Sequence, residues 1–344
     1  MTEKKNRQSR RFFFLSDFHR YGGAVTFTVH LLTSLRKNLV YRVSQSSHKA
    51  GEVGNFGYGI KYRIELPSLI EKTGNPFVTD FFQYDKILPK LKRNDVTVVI
   101  HDPTEIPNED KSCLQYWNII CIRKTVQRYL KEKFNVISRF MYHPFWPYDT
   151  KYENMDIKHN DSVHQFKQWN SVSISRIEYG KNIDVIMKAN KKLESESKSD
   201  RNFSVRMYGP FNHRYVNDEL GGKEEFRKYY CGTFPKSFEG ISNVLNGTKF
   251  VIDLSTINDD GGGTQYTFLE AIHHGAALVI NRKWIENLPS EYCDFKEGYN
   301  CYAVSDSKEL LDIIKNSNRI DTSQVVRNSR KLLDRHINSD WASV

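Results

Sequence analysis

The chain has 344 residues, more than one typical domain and enough for two of about 150 residues, each with its own hydrophobic core. Its 51 Lys and Arg against 41 Asp and Glu leave a net charge of +10, which favours a polyanionic partner without naming one. The five cysteines are odd in number and form no C-x-x-C pair, and no apolar run approaches a signal-peptide core or a membrane span; a disulfide framework, a zinc site and secretion are therefore not expected, and a soluble protein in a reducing cytoplasm is.

Residues 1–10 are polar and basic and read as a disordered arm, either a solvated tail or a contact to an anionic partner. Arg11 to Leu15 reads as a buried strand, and the glycine turn at Gly22 and Gly23 opens an apolar helix through Leu35. Further strands are expected at Leu39 to Ser44 and Thr97 to Ile100, with a helix from Thr79 to Leu91. Such alternation argues for a parallel sheet. The strand at Thr97 ends in His101-Asp102-Pro103, and side chains just past the carboxyl ends of parallel strands line the ligand crevice. That titratable pair is a site candidate, with an ordinary surface loop as the alternative. A helix is expected from Ile119 to Lys131 and a last strand at Asn135 to Ser138. Pro144, Pro147 and the polar stretch that follows then mark a domain boundary, in which His143 reads as a hinge residue or a ligand contact.

The second domain opens with a strand at Ser171 to Ser175, the segment Arg176-Ile177-Glu178-Tyr179-Gly180-Lys181, and a helix from Asn182 to Leu193. A strand at Phe203 to Met207 leads to Gly209, and the polar run from Asn212 to Lys228 reads as an insertion. Phe250 to Ile280 is the most informative stretch: a buried strand, the loop Gly261-Gly262-Gly263, a helix starting near Thr264, and a second buried strand. Glycines let backbone N–H groups approach a ligand and the helix adds the positive end of its dipole, so the junction suits a phosphate and hence a nucleotide. Glu270, about two turns into that helix, is placed to accept hydrogen bonds from the two hydroxyls of a ribose. A strand at Cys301 to Val304 and helices near Lys308 to Lys315 and Ser323 to His336 complete the domain. No D-x-D triplet occurs, and Asp259-Asp260 reads as turn chemistry, so no essential metal and no cofactor beyond the nucleotide are expected.

The stretch ending in Tyr266-Thr267-Phe268-Leu269-Glu270 resembles the donor motif of retaining GT-B glycosyltransferases, and more closely that of bacteriophage DNA α-glucosyltransferases. The family pattern has two glutamates separated by seven residues; Glu270 matches the second, while the first falls on Gly262. The resemblance implies an α/β GT-B fold with two Rossmann-like domains whose parallel sheets face a central cleft. Its domains would be 11–147 and 171–336, joined by a linker at 148–170 and followed by a tail at 337–344. It implies donor contacts from Gly22, Gly23, Gly209, Gly262, Gly263, Thr264, Gln265, Tyr266, Thr267 and Glu270. It also implies that Arg176 and Lys181 stabilise the departing diphosphate, that His101 positions the sugar or acceptor, and that Asp102 meets the acceptor hydroxyl. The expected reaction is transfer of glucose from UDP-glucose, with retention, to a hydroxymethylated base in double-stranded DNA, as in a viral DNA-modifying enzyme in the host cytoplasm. A polysaccharide, lipid or protein acceptor is the alternative within the class. A non-catalytic nucleic-acid-binding protein on the same scaffold is the alternative outside it.

Overall fold

The computed structural model describes residues 10–14, 23–44, 46–55, 57–79, 90–105, 112–150, 169–196, 203–256, 263–286, 289 and 291–344. The chain forms two compact units, Met1–Trp146 with Ser339–Val344, and Pro147–Asn338.

In the first unit the elements are β1 (Phe12–Phe14), α1 (Gly23–Ser34), β2 (Leu39–Val43), β3 (Val53–Asn55), β4 (Lys61–Glu65), α2 (Ser68–Lys72), β5 (Phe77–Thr79), β6 (Thr97–Ile100), β7 (Asn118–Cys121), α3 (Lys124–Phe134) and β8 (Arg139–Phe140). They build one eight-stranded sheet in the order β3-β4-β2-β1-β5-β6-β7-β8, parallel except for the β3–β4 pair at its edge. The central strands are unbroken apolar runs, Phe-Phe-Phe in β1 and Thr-Val-Val-Ile in β6, because a parallel sheet is covered on both faces. Phe13, Val78, Val98, Ile100 and Leu130 lie in the same core cluster.

Several expectations change here. Thr79 ends strand β5 and does not begin a helix; residues 80–89 of the expected helix lie outside the described residues. Ile119 to Cys121 is a strand, paired with β6, and the helix starts only at Lys124. A short apolar run has the same pattern in a buried strand as in a buried helix, and pairing decides between them. Asn135, expected to open the last strand, caps α3 in the left-handed conformation at φ 52°, and the strand begins at Arg139. His143 is buried at 4% exposure.

The last residues, expected as a tail, fold back on the first unit. Trp341 is 4% exposed, its ring meets Phe27 and Phe77 edge-on at centroid distances of 5.3 and 6.4 Å, and its indole N–H donates to the Tyr142 carbonyl at 2.9 Å.

The second unit contains β9 (Ser171–Ile174), α4 (Ile183–Glu196), β10 (Arg206–Tyr208), α5 (His213–Glu219), α6 (Lys223–Arg227), β11 (Tyr230–Gly232), α7 (Phe238–Leu245), β12 (Phe250–Asp253), α8 (Tyr266–His273), β13 (Ala277–Asn281), α9 (Lys283–Glu286), β14 (Tyr302–Val304), α10 (Ser307–Lys315) and α11 (Ser323–Ile337). Its six strands are all parallel and run β11-β10-β9-β12-β13-β14. Counted from β9, this is the doubly wound order 3-2-1-4-5-6. The polar run 212–228, expected as an insertion, forms α5 and α6 and places Tyr215, Val216, Leu220 and Phe226 in the core. The side chain of Asn212 accepts from the Arg214 and Tyr215 N–H groups and so caps α5. None of the five cysteines forms a disulfide.

Trp341→Ala should destabilise the first unit by about 3 to 5 kcal/mol, the usual range for emptying a large aromatic site. Urea titration followed by the first unit's fluorescence checks this, and a change under about 1 kcal/mol would contradict the packing described.

Candidate functional site

In a doubly wound sheet the chain starts at a central strand, winds outward to one side, then returns to wind outward on the other. The two connections that leave the central pair in opposite directions open a crevice at their carboxyl ends. In the second unit that pair is β9 and β12. Arg176 and Lys181 follow β9, and Leu254 to Thr256 follow β12, so the order of strands brings these two segments to one switch point.

The segments are laced together. Lys181 Nζ donates to the Ser255 hydroxyl at 2.9 Å, Asn182 Nδ2 donates to the Leu254 carbonyl at 2.7 Å and to the Thr256 hydroxyl at 3.1 Å, and the Thr256 N–H donates to the Gly180 carbonyl at 2.7 Å. Gly180 and Asn182 sit at φ 79° and 49°, the left-handed conformations that reverse the chain around Lys181. Arg176 pairs with Glu178 at 2.9 Å, with both side chains about one-third exposed. Ser255 is buried, donates through its N–H and its hydroxyl to Asp253 Oδ1, and accepts from Trp284 Nε1 through its carbonyl at 3.0 Å. Asp253, Ser255 and Trp284 were given no role by the sequence reading, although Asp253 and Ser255 flank the end of the expected strand.

Gly209 has a packing requirement of its own. At φ 139° a Cβ there would lie 2.1 Å from the Ser175 carbonyl oxygen, so the approach of the β10 end to the β9 end excludes any other residue. Gly261 and Gly262 lie outside the described residues, as does Gly22. Gly263 and Thr264 are buried, and the Thr264 hydroxyl meets His336 Nε2 at 3.1 Å. Helix α8 starts at Tyr266, two residues later than expected. Its N-cap, Gln265, makes no side-chain capping bond and its first turn carries no acid, so the dipole end meets no carboxylate of its own turn. Thr267 is half-buried in that first turn.

Glu270 is the fifth residue of α8, hence just over one turn in, and is 2% exposed. Its Oε2 accepts from the Tyr148 hydroxyl, a partner 122 residues away that sequence reasoning did not find. Tyr148 stacks on Phe238 at 4.3 Å, meets His273 edge-on at 4.6 Å, and accepts at its carbonyl from His273 Nε2 at 2.8 Å. His274 bridges the Glu270 carbonyl at 2.7 Å and the Ser242 hydroxyl at 3.0 Å. Burial pushes His273 down to about 4 against the opposing pull of Glu270, and lowers His274 likewise. Burial and the Glu270 charge raise the Tyr266 phenol far above its ordinary value. Glu270 is thus the charged member of an enclosure of neutral rings and hydroxyls.

In the first unit His101 follows β6, and its Nε2 meets the Thr79 hydroxyl, at the end of the adjacent β5, at 2.9 Å. The ring lies edge-on to Phe27 at 4.8 Å, and the His101 N–H donates to Glu105 Oε2 at 2.8 Å. Burial and the nearby Arg123 push the imidazole down to about 3, so it is an uncharged ring near neutral pH. Asp102 is half-buried beside it, and Gly23 opens α1 with no atom of the described residues within 4 Å of where a Cβ would stand.

The two units differ in charge. The first carries 24 Lys and Arg against 14 Asp and Glu, and the second carries 27 of each. The whole excess of ten therefore belongs to the first unit. Most of it does not depend on the basic arm, because residues 11–146 with 339–344 alone hold 20 against 13.

Among the described residues no group of three or more His, Cys, Asp or Glu is arranged to hold a metal ion, and no helix is long and apolar enough to cross a membrane. No protein-family model matches the chain, and no curated protein sequence is significantly similar. Solved structures are. HepE of Anabaena in complex with UDP-glucose aligns at a TM-score of 0.60 with 13% identity, over 95% of each chain. An α-glucosyltransferase in complex with UDP-glucose and DNA containing an abasic site aligns at 0.59 with 14% identity, over 95% of each. The trehalose-6-phosphate synthase OtsA aligns at 0.61 with 9% identity, again over 95% of each. The chain has the α/β fold of the GT-B glycosyltransferases, built from two mainly parallel sheets.

The depressed histidines predict acid sensitivity. A histidine whose pKa falls on folding contributes nothing above its unfolded value of about 6.5, and folding loses stability as pH drops from there towards the folded value. Stability should therefore fall from about pH 6.5 downwards, by up to about 1.4 kcal/mol per pH unit for each such ring. His101→Gln should flatten this slope in urea titrations near pH 5; an unchanged slope would show that the fold does not hold His101 as a neutral ring.

Proposed function

We propose that the protein is a glycosyltransferase that binds a nucleoside-diphosphate sugar, UDP-glucose in the first instance, in its second unit. The observation that carries this reading is the hydrogen bond from Lys181, on the segment that follows β9, to Ser255, on the segment that follows β12: it joins the two segments at the switch point, Arg176 belongs to the first of them, and the second leads on to the uncapped start of α8, features that suit a diphosphate. The similarity of the fold to HepE and to the α-glucosyltransferase, both held with UDP-glucose, supports the same choice of donor.

In the reaction the bond between the anomeric carbon and the β-phosphate oxygen breaks, and a bond forms from that carbon to the acceptor oxygen. The acceptor proton passes to the departing phosphate, which leaves as UDP. In this reading Arg176 and Lys181 stabilise the charge that grows on the leaving diphosphate, which is their role without any metal requirement. Gly263 to Thr267 supply backbone donors and Glu270 receives the ribose hydroxyls beside Tyr148. The neutral His101 ring positions the sugar or acceptor, and Asp102 receives the acceptor hydroxyl. Retention of configuration belongs to this proposal, with attack from the face the phosphate leaves.

For the acceptor we favour a hydroxymethylated base in DNA. The whole positive excess lies in the unit without the nucleotide features, where a polyanionic acceptor would use it and a neutral glycan would not. Gly262, where the family has its first glutamate, favours the non-catalytic alternative, a nucleic-acid-binding protein on the same scaffold.

The test is UDP release and product mass after incubation with UDP-glucose and hydroxymethylcytosine or hydroxymethyluracil DNA, plain DNA, or glycan and lipid acceptors. Glucose on the modified base is expected, and transfer should fall steeply between about 50 and 200 mM salt as counterions are released. Transfer to a glycan or lipid alone would overturn the DNA acceptor and leave the transferase reading in place. DNA binding without UDP release from any mixture would overturn catalysis.

Arg176→Ala and Lys181→Ala should each lower turnover about a hundredfold in saturating donor, with a smaller loss of donor affinity. Full turnover in both variants is the result that would rule out the leaving-group role.

A further inference from the structure

Asp253 ends β12 at the switch point and is 2% exposed. Its Oδ1 accepts from both the Ser255 N–H, at 3.0 Å, and the Ser255 hydroxyl. Its Oδ2 is buried without a hydrogen-bond partner among the described residues. A buried carboxylate oxygen in that state is unfavourable, and folded proteins tend to keep such groups where a site uses them.

The neighbours show what the carboxylate does. With its hydrogen committed to Asp253, the Ser255 hydroxyl must turn its lone pairs elsewhere, and Lys181 Nζ donates to them at 2.9 Å. Ser255 is held from behind by Trp284 Nε1, and the loop carrying Lys181 is tied to the same segment through Gly180 and Asn182. The line Asp253–Ser255–Lys181 therefore runs from a buried anion, through one oriented hydroxyl, to a half-buried ammonium at the mouth of the switch point.

We infer that Asp253 is a positioning residue for diphosphate binding, which through Ser255 fixes where the Lys181 ammonium stands. This rests on the reading of Lys181 as a diphosphate contact. A purely structural role makes a different demand. Closing the Asp253 to Ser255 turn needs only an acceptor for the Ser255 N–H, which asparagine also provides. Asp253→Asn keeps the turn, removes the charge, and lets the Ser255 hydroxyl hydrogen point towards Lys181.

The test is calorimetric binding of UDP and of uridine to wild type, Asp253→Asn, Lys181→Ala and the double variant. Asp253→Asn is expected to weaken UDP about tenfold and leave uridine unchanged, because the lost alignment acts on phosphate alone. In the Lys181→Ala background the same substitution should change UDP affinity less than about twofold, since its only route to the ligand is gone. Ser255→Ala should copy Asp253→Asn and decides the matter should the latter fail to fold. Equal losses for UDP and uridine, or equal losses in both backgrounds, would overturn the inference and leave the nucleotide site standing. Wild-type protein that does not bind UDP would instead remove the nucleotide reading itself, and unchanged UDP affinity in Lys181→Ala would remove the role of Lys181 on which Asp253 depends.

Discussion

Right-handed crossovers allow a parallel sheet to grow outward from its first strand on one helix layer, and to turn back only by placing later strands on the other side of that first strand. Where the direction reverses, no crossover covers the carboxyl ends of the two central strands. In the second unit these are β9 and β12, and the approach of the Lys181 loop to Ser255, on which the proposed diphosphate site rests, depends on their being neighbours. Phe250 pairs with Ser171 and Val251 with Val172, and that register sets the Lys181 loop against Ser255. The hydrogen bonds across it are short-range consequences of a long-range pairing. Gly209 belongs to the same geometry, since β10 can close beside β9 only if nothing projects towards the Ser175 carbonyl.

Two buried carboxylates, Asp253 at the end of β12 and Glu270 on α8, are treated differently by the fold. Glu270 sits in a ring of Tyr148, His273 and His274, where burial keeps the histidines neutral and the Tyr148 hydroxyl supplies a hydrogen bond. Among the described residues, Asp253 is hydrogen-bonded through one oxygen only. A buried charge is tolerable when its position is fixed by neighbours that need not move to receive a ligand, and both carboxylates meet that condition through rigid aromatic packing, by Phe238 against Tyr148 and by Trp284 behind Ser255. Preorganisation of this kind lets charge that develops later be met without reorganising the site.

The partition of charge has a different origin. Under the proposed reading, a second unit of no net charge would place two cations at a diphosphate without a diffuse positive field that would hold the product, and the net positive first unit would favour a polyanionic acceptor. His101 fits the same division. Packed on Phe27 and bonded to Thr79, it adds no charge of its own to that unit near neutral pH.

Local pattern was enough for much of this. The apolar runs at Phe12 to Phe14, Thr97 to Ile100, Phe250 to Asp253 and Ala277 to Asn281 read as buried strands and are strands, because three or four consecutive apolar residues flanked by turn signals favour burial on both faces wherever they lie. The Tyr266 to Glu270 segment, the Arg176 and Lys181 spacing and the net charge were equally visible, since each is a property of neighbouring residues or of the sum. Ile119 to Cys121 was not, because a short apolar run is compatible with helix or strand until a partner such as β6 is known. The strand order of either sheet, the seating of Trp341 on Phe27, the Tyr148 bond to Glu270 and the Asp253–Ser255–Lys181 line were decided only in three dimensions. Each joins residues far apart in the chain, and which distant groups meet depends on the competition of all buried surfaces for one core, which no local period records.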